Sequence, residues 1–456
     1  MLLRLVGLLA TTALTLATRA GSAGEETDWE AVFKAKLDEL RAQGEPLTVE
    51  EIVARRTPIP DAENSALVLL KAFAARDAFY LPYGSSVRVG FAPEVGMRQP
   101  EAFLQVVRAS VEANAKALRL IHEGTRLGRG RYPITLDPNP LATPQLHLGP
   151  LSAAGRLCLR EAAVRAHEGK GDDAADSVLA IRRLSASLGD CLFLAEAIVQ
   201  ALLVRRFCDG LEWTLGLCEL SPGKIDAISR ELKSEEGTQG LAMPLRAERA
   251  AVCYLLTHFE EWQRTAKEFD IPPNLVDRAR IPAEGSEYLE YMRQAIYISD
   301  LPDREKLSEV ARLSDEVINL PPEEHLVTAV LLPSLRRAFE EEVKARASLR
   351  VARAALAVEQ YRMRNGDWPG TLDALVPDLL DAVPQDPFGA GPLGYKRDAT
   401  GIVVFSVGPD GQEERVRSTE GARTVPPTVG PDLSFHLLEP THRGSREWQP
   451  SDSLPK

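Results

Sequence analysis

The sequence predicts a mainly α-helical protein: an irregular helical-hairpin array or bundle, followed by a small C-terminal α+β module. Three observations predict it. Apolar residues recur at steps of three and four from Asp28 to about residue 330. Gly, Pro, Asn and Asp interrupt that pattern at short intervals. Beyond the longest periodic stretch, which stops at Asn365-Gly366, the spacing changes to short strand-like runs bounded by turn residues.

The elements follow in order. In residues 28–43, Trp29, Val32, Phe33, Leu37 and Leu40 fall at helical steps, with Asp28 as N-cap. Residues 64–79 are rich in Ala and Leu and predict a second helix. The glycines and prolines of 81–99 predict a loop, with a short strand over 87–91. Pro100 suits the first turn of one helix running to Glu123. Pro133, Pro138, Pro140, Pro144 and Pro150 make residues 131–150 the expected linker. Helices are then predicted over 151–167, 174–188 and 192–215. The stretch AEAIVQALLV in the last is apolar on nearly all sides, as a buried helix is.

Ser221 as N-cap and Pro222 at the first helical position open another helix. One helix is expected over 241–266, with more over 287–298 and 304–318, and Pro321-Pro322 introduces the next. These helix–turn–helix units show no fixed period, so no named repeat is assigned. Residues 335–364 contain no Pro or Gly and carry Val351, Ala355, Val358 and Tyr361 on one stripe of a long helix. Asn365-Gly366 ends it, because both residues tolerate the left-handed backbone at a helix terminus. A short helix over 371–380 and a hairpin pairing 393–396 with 402–407 complete the module.

Composition and the N-terminus bear on partners and address. The chain has 456 residues, 44% hydrophobic and 26% charged, as in ordinary globular proteins. Its net charge of −12 disfavours a nucleic-acid backbone as partner. Arg4, an uncharged run over 5–18, and the small residues of 20–23 follow the grammar of a secretory signal peptide. The run is shorter than the ~20 residues a spanning helix needs. An exported protein without a membrane span in its mature chain is therefore expected, the alternative being an uncleaved N-terminal anchor. The expected layout is a signal peptide (1–23), a helical region (24–130), the Pro-rich linker (131–150), a helical array (151–330), the α+β module (331–438) and a disordered tail (439–456).

Chemistry-bearing residues are few. Cys158, Cys191, Cys208, Cys218 and Cys253 form no CxxC pair, so metal-ligand spacing is absent. An oxidising compartment would let some of them pair. Isolated Cys on apolar helix faces read instead as small buried side chains. None of the seven His lies in an HExxH pattern or beside a patterned nucleophile. His258, Glu260 and Glu261 do not share one helix face and read as solvated. The glycines between Gly124 and Gly130 lack the Lys-Ser/Thr ending of a phosphate loop. No catalytic residue is assigned.

One local resemblance stands out. Tyr361, Asn365-Gly366, Pro369, Leu372, Leu375, Pro384, Asp386-Pro-Phe-Gly389, Tyr395, Ser406, Gly408 and Asp410-Gly411 occur in this order over residues 335–438. This pattern resembles the periplasmic domain of the major pseudopilin of type II secretion systems. The resemblance implies a long helix, a loop and a small antiparallel sheet. It also implies a calcium ion held by Asp410 in the Ser-Val-Gly-Pro-Asp-Gly turn and by Asp432 at a later strand start. A pseudopilin, however, begins with a prepilin-peptidase site and a fibre-forming hydrophobic helix, whereas a signal-peptide pattern and a long series of unrelated helices are expected ahead of the module here, so fibre assembly does not carry over. The layout of the whole chain looks like that of large exported helical proteins of planctomycete-type bacteria, a resemblance that implies a compartment and does not point to any particular activity.

Two functional classes follow as expectations. The first is an exported, non-catalytic scaffold or interaction protein of the cell envelope with a protein partner. The second is an extracytoplasmic, hydrolase-like enzyme whose site is assembled from scattered residues. A deep pocket with converging His or carboxylates would favour the second, and a shallow concave helical face with an apolar patch the first.

Overall fold

The computed structural model describes residues 27–76, 95–233, 240–268, 270–321, 324–332, 334–409, 411 and 433–447. The expected signal peptide, the strand over 87–91, Asp410, Asp432 and the tail beyond 447 lie outside the described residues. The described chain is mainly helical and ends in a small antiparallel sheet, as expected.

Helix α1 (Trp29–Ala42) starts where Asp28 accepts a hydrogen bond from the Ala31 amide at 3.0 Å. Thr48 caps α2 (Val49–Arg55) and Asn64 caps α3 (Ser65–Ala74) in the same way. After the two-residue strand β1 (Met97–Arg98), the single helix expected from Pro100 is two helices, α4 (Glu101–Ala113) and α5 (Ala115–Thr125). Asn114 leaves the helical region at φ −104°, ψ 15°, and its side chain donates to the Ser110 carbonyl at 2.9 Å. A short polar side chain that competes for backbone groups ends a helix whose apolar period would otherwise continue.

Helices α6 (Leu148–His167), α7 (Gly171–Ala186) and α8 (Leu194–Leu217) pack on one another. Gly210 on α8 lets the helices approach closely: a Cβ there would sit 2.7 Å from Leu159 Cδ2. Ser221 Oγ accepts from the Lys224 amide at 3.2 Å and starts α9 (Pro222–Lys233). The helix expected over 241–266 is again two, α10 (Ala242–Thr257) and α11 (Phe259–Glu268). At the break, His258 turns back onto its own helix: Nδ1 lies 2.8 Å from the Tyr254 carbonyl, and the ring stacks on Tyr254 at 4.1 Å. Helices α12 (Ile281–Ser299), α13 (Asp303–Ile318) and α14 (Leu326–Leu331) lead to α15 (Ser334–Asn365). Gly366, at φ 81°, ends α15 in the left-handed conformation the sequence suggests.

The sheet places β3 (Gly401–Ser406) between β2 (Gly394–Arg397) and β4 (Leu433–Leu438), all antiparallel, with Tyr395 opposite Val404 and Val404 opposite Phe435. The segment expected as a helix over 371–380 is a 3-10 turn at Leu372–Leu375. The loop that follows is pinned by Asp386, whose carboxylate accepts from the Phe388 amide at 2.9 Å, Ser406 Oγ at 2.6 Å and the Val407 amide at 2.8 Å. Tyr395 Oη donates to the Pro369 carbonyl at 2.7 Å. Residues far apart in the quoted pattern thus meet in space.

The core crosses the expected boundaries. One apolar cluster runs from Leu69 on α3 through Leu157, Phe207 and Val358 to Val404 and Leu437 in the sheet. A second joins Tyr288 and Met292 to Phe339 on the first turns of α15. Helix α15 is the spine shared by both.

Two expected segments differ in character. The Pro-rich stretch 131–150 buries Tyr132, Asn139, Thr143 and His147. It is a packed strap, because His147 Nε2 meets Glu196 Oε1 at 3.1 Å and Tyr132 stacks on His147 at 4.4 Å. Residues 439–447, expected to begin a disordered tail, are also held. Glu439 accepts from Trp368 Nε1 at 2.6 Å, Arg443 donates to Glu359 at 2.9 Å, and β5 (Arg446–Glu447) pairs parallel to β1. Among the described residues, no helix is long and apolar enough to cross a membrane.

Candidate functional site

An open depression lies where α9 crosses α15. Each helix contributes one stripe. Asp226, Ser229, Arg230 and Lys233 project from α9 at helical steps of three, one and three. Arg353, Ala357, Gln360 and Arg364 project from α15 at steps of four, three and four. Residues this far apart on one helix share a face. Asp378, Leu379 and Leu380, in the turn after the 3-10 element, supply the third wall. The groove holds about 260 Å³ and opens to solvent.

Its polar groups are arranged unevenly. Gln360 Nε2 donates to Asp226 Oδ1 at 2.5 Å and ties α15 to α9. Lys233 Nζ lies 2.8 Å from Asp381 Oδ1, and Arg353 Nη2 lies 3.5 Å from Asp381 Oδ2. The hydrogen bond and charge of Lys233 hold the Asp381 carboxyl below the usual carboxylate range, with Arg353 adding to it. Arg230 reaches only a backbone oxygen, that of Asp226, at 3.3 Å. Neither Arg230 nor Arg364 has a carboxylate partner among the described residues. Ser229 Oγ is shut off from solvent and makes no hydrogen bond.

Such a lining can bind an anion. It holds no His and no Cys, so it presents no general base of the imidazole type and no thiol nucleophile. Cations with unspent donors, here Arg230 and Arg364, are the parts of a recognition surface.

The other titratable clusters stand apart from the groove. His122 Nε2 and Arg165 Nη2 each lie 2.6 Å from Glu161, and Ser177 Oγ donates to it at 3.0 Å. Burial raises the Glu161 carboxyl, but His122 and Arg165 outweigh this and hold it below the usual range. Glu196 accepts from the Leu192 amide at 2.6 Å and the Phe193 amide at 3.2 Å at the start of α8. His325 meets Glu287, and His436 meets Glu212, each at 2.8 Å. These pairs tie neighbouring elements together, and they do not converge on one cavity.

The residues singled out for metal chemistry, Asp410 and Asp432, lie outside the described residues. Among the described residues, no group of three or more His, Cys, Asp or Glu is placed to hold a metal ion. All five cysteines are buried and free, so the disulfide alternative gives way to small apolar packing. Sequence reasoning passed over the groove entirely. The stripe Arg353-Ala357-Gln360-Arg364 was readable as a polar face beside the apolar one. Its meeting with Arg230, more than a hundred residues earlier in the chain, was not. No family model, no curated protein and no solved structure matches this chain.

Proposed function

We propose that this chain is an exported, non-catalytic scaffold or interaction protein of the cell envelope, and that its α9–α15 groove docks an anionic part of a protein partner. The observation that carries this reading is the convergence of Arg230, Lys233, Arg353 and Arg364 on one open groove in a protein of net charge −12. The scatter of the His–carboxylate pairs weighs against the enzyme alternative. Export rests on the charge and small-residue pattern of residues 1–23. The C-terminal module, by its resemblance to a pseudopilin periplasmic domain, serves as an assembly piece.

Cross-linking in the native envelope fraction tests the reading. Lys233 should cross-link to a partner in the wild type, and Arg230→Glu with Arg364→Glu should abolish that adduct. An unchanged adduct removes the groove from the docking site. A full-length chain beginning at Met1 in the cytosol would remove the envelope. The calcium ion that the resemblance implies is tested separately: calcium should raise the melting temperature of the wild type and not that of Asp410→Ala. An equal rise in both removes Asp410 from the site.

A further inference from the structure

We infer that the occupant of the α9–α15 groove is an extended acidic peptide segment, rich in Asp and Glu, presented by the partner. The inference rests on the docking reading above and specifies its ligand. Length is the first argument. Arg353 and Arg364 are three helical turns apart on α15, about 16 Å along the axis. With both side chains standing out from the helix, their positions are too far apart for one small anion to bridge. An extended peptide advances about 3.3 Å per residue, so roughly five residues span the stripe.

Charge is the second argument. Arg230 and Arg364 carry guanidiniums that no described carboxylate meets. Lys233 and Arg353 share Asp381; the Lys233 and Asp381 side chains are 59% and 69% exposed, and that of Arg353 is 11% exposed. An exposed ion pair is held weakly. An incoming carboxylate can therefore take the place of Asp381 at the exposed Lys233. Planar guanidiniums bind carboxylates through two parallel hydrogen bonds, which fixes the register of an acidic chain.

The third argument is the shape and the uncharged lining. About 260 Å³ is below the size typical of pockets that enclose a drug-sized molecule. A shallow trough of this size accommodates successive side chains of one strand. The Gln360 amide, with one Nε2 hydrogen given to Asp226, offers a polar contact between the charged ends.

A fluorescent pentapeptide alternating Asp and Glu, flanked by Gly, is titrated into the full chain at low and at physiological salt. Its Asn/Gln counterpart and inorganic phosphate are titrated alongside. The acidic peptide should bind and should weaken steeply with salt. The Asn/Gln peptide should not bind measurably. Arg230→Ala with Arg364→Ala should weaken the acidic peptide about tenfold or more, while the melting temperature stays within a few degrees of wild type. Equal binding of the two peptides, or binding indifferent to the double variant, overturns the inference. Phosphate binding tighter than the peptide overturns it as well, in favour of a small-anion site. Absent peptide binding together with a charge-sensitive envelope cross-link sinks the acidic-peptide ligand and leaves the docking groove standing. A cross-link indifferent to charge reversal sinks the docking groove itself.

Discussion

Two acids, Glu359 buried and Glu248 half-buried, show how one side chain reads its surroundings. Glu359, 1% exposed on α15, accepts from Arg362 and from Arg443, each at 2.8–2.9 Å. Burial alone would raise its carboxyl, but the two guanidiniums outweigh that and hold it below the usual range. Its stabilising effect is therefore present above the ordinary carboxylate range and lost as the pH falls. Glu359→Gln should cost about 3 kcal/mol at pH 7, because the buried Arg443 guanidinium loses its counter-charge and Arg362 keeps only the more distant Glu219. The gap to wild type should narrow below pH ~4 in denaturant titrations. Glu248 on α10 behaves in the opposite sense. Burial with no offsetting partner pushes its carboxyl up to about 7. The folded state binds that proton more tightly than the unfolded chain, so stability is lost as the pH rises through this range. Glu248→Gln should match wild type near pH 4 and exceed it by up to about 3 kcal/mol at pH 8. A constant difference across pH would mean that Glu248 does not titrate as its burial implies. Neither behaviour was readable from sequence, because each depends on what packs against the carboxylate.

Elements were more legible than residues where the punctuation is local. Asp28, Ser221 and Asn365-Gly366 start or stop helices where the sequence places them, since a cap needs only its own turn. The breaks at Asn114 and His258 were missed because the apolar period runs on through both. The strap over 131–150 was misjudged for a related reason: proline content reports that a segment is not helical, and says nothing of whether it is packed. Glu196 decides the matter here. Its carboxylate accepts from the Leu192 and Phe193 amides at the start of α8 and meets His147 on the strap at 3.1 Å. Glu196→Ala removes that cap and leaves His147, 6% exposed, without its partner. A loss of about 2–4 kcal/mol is expected. Limited proteolysis gives the sharper readout. The wild type should resist cleavage over 131–147 despite its prolines, and Glu196→Ala should be cut there under native conditions. Cleavage of both at equal rates would mean that Glu196 does not secure the strap.

At the scale of the whole molecule, the change in sequence pattern near residue 331 was legible and its energetic meaning was not. Periodicity gives way to turns there, which suggests a separable unit. The packing joins what the pattern divides. Helix α15 gives Leu335 and Phe339 to the core around Tyr288, and Val351, Ala355 and Val358 to the core around Phe207. His436 on β4 fastens the sheet to α8: its amide and Nδ1 lie 2.7 and 2.8 Å from Glu212 Oε1. Arg443 and Glu439 then return the chain end to α15 and to Trp368. A fragment beginning at residue 334 would expose the apolar faces that α15 and the sheet turn toward α8 and α12–α14. Burial of each large apolar side chain is worth about 1.5–3 kcal/mol, so uncovering several exceeds the 5–15 kcal/mol by which a domain is normally stable. The full chain should therefore melt in one calorimetric transition, with equal calorimetric and van't Hoff enthalpies across the helical array and the module. A chain restricted to 334–456 should show no cooperative transition of its own. Two resolved transitions in the full chain, with the smaller reproduced by the fragment, would mean that the module folds independently and that α15 merely rests on the array.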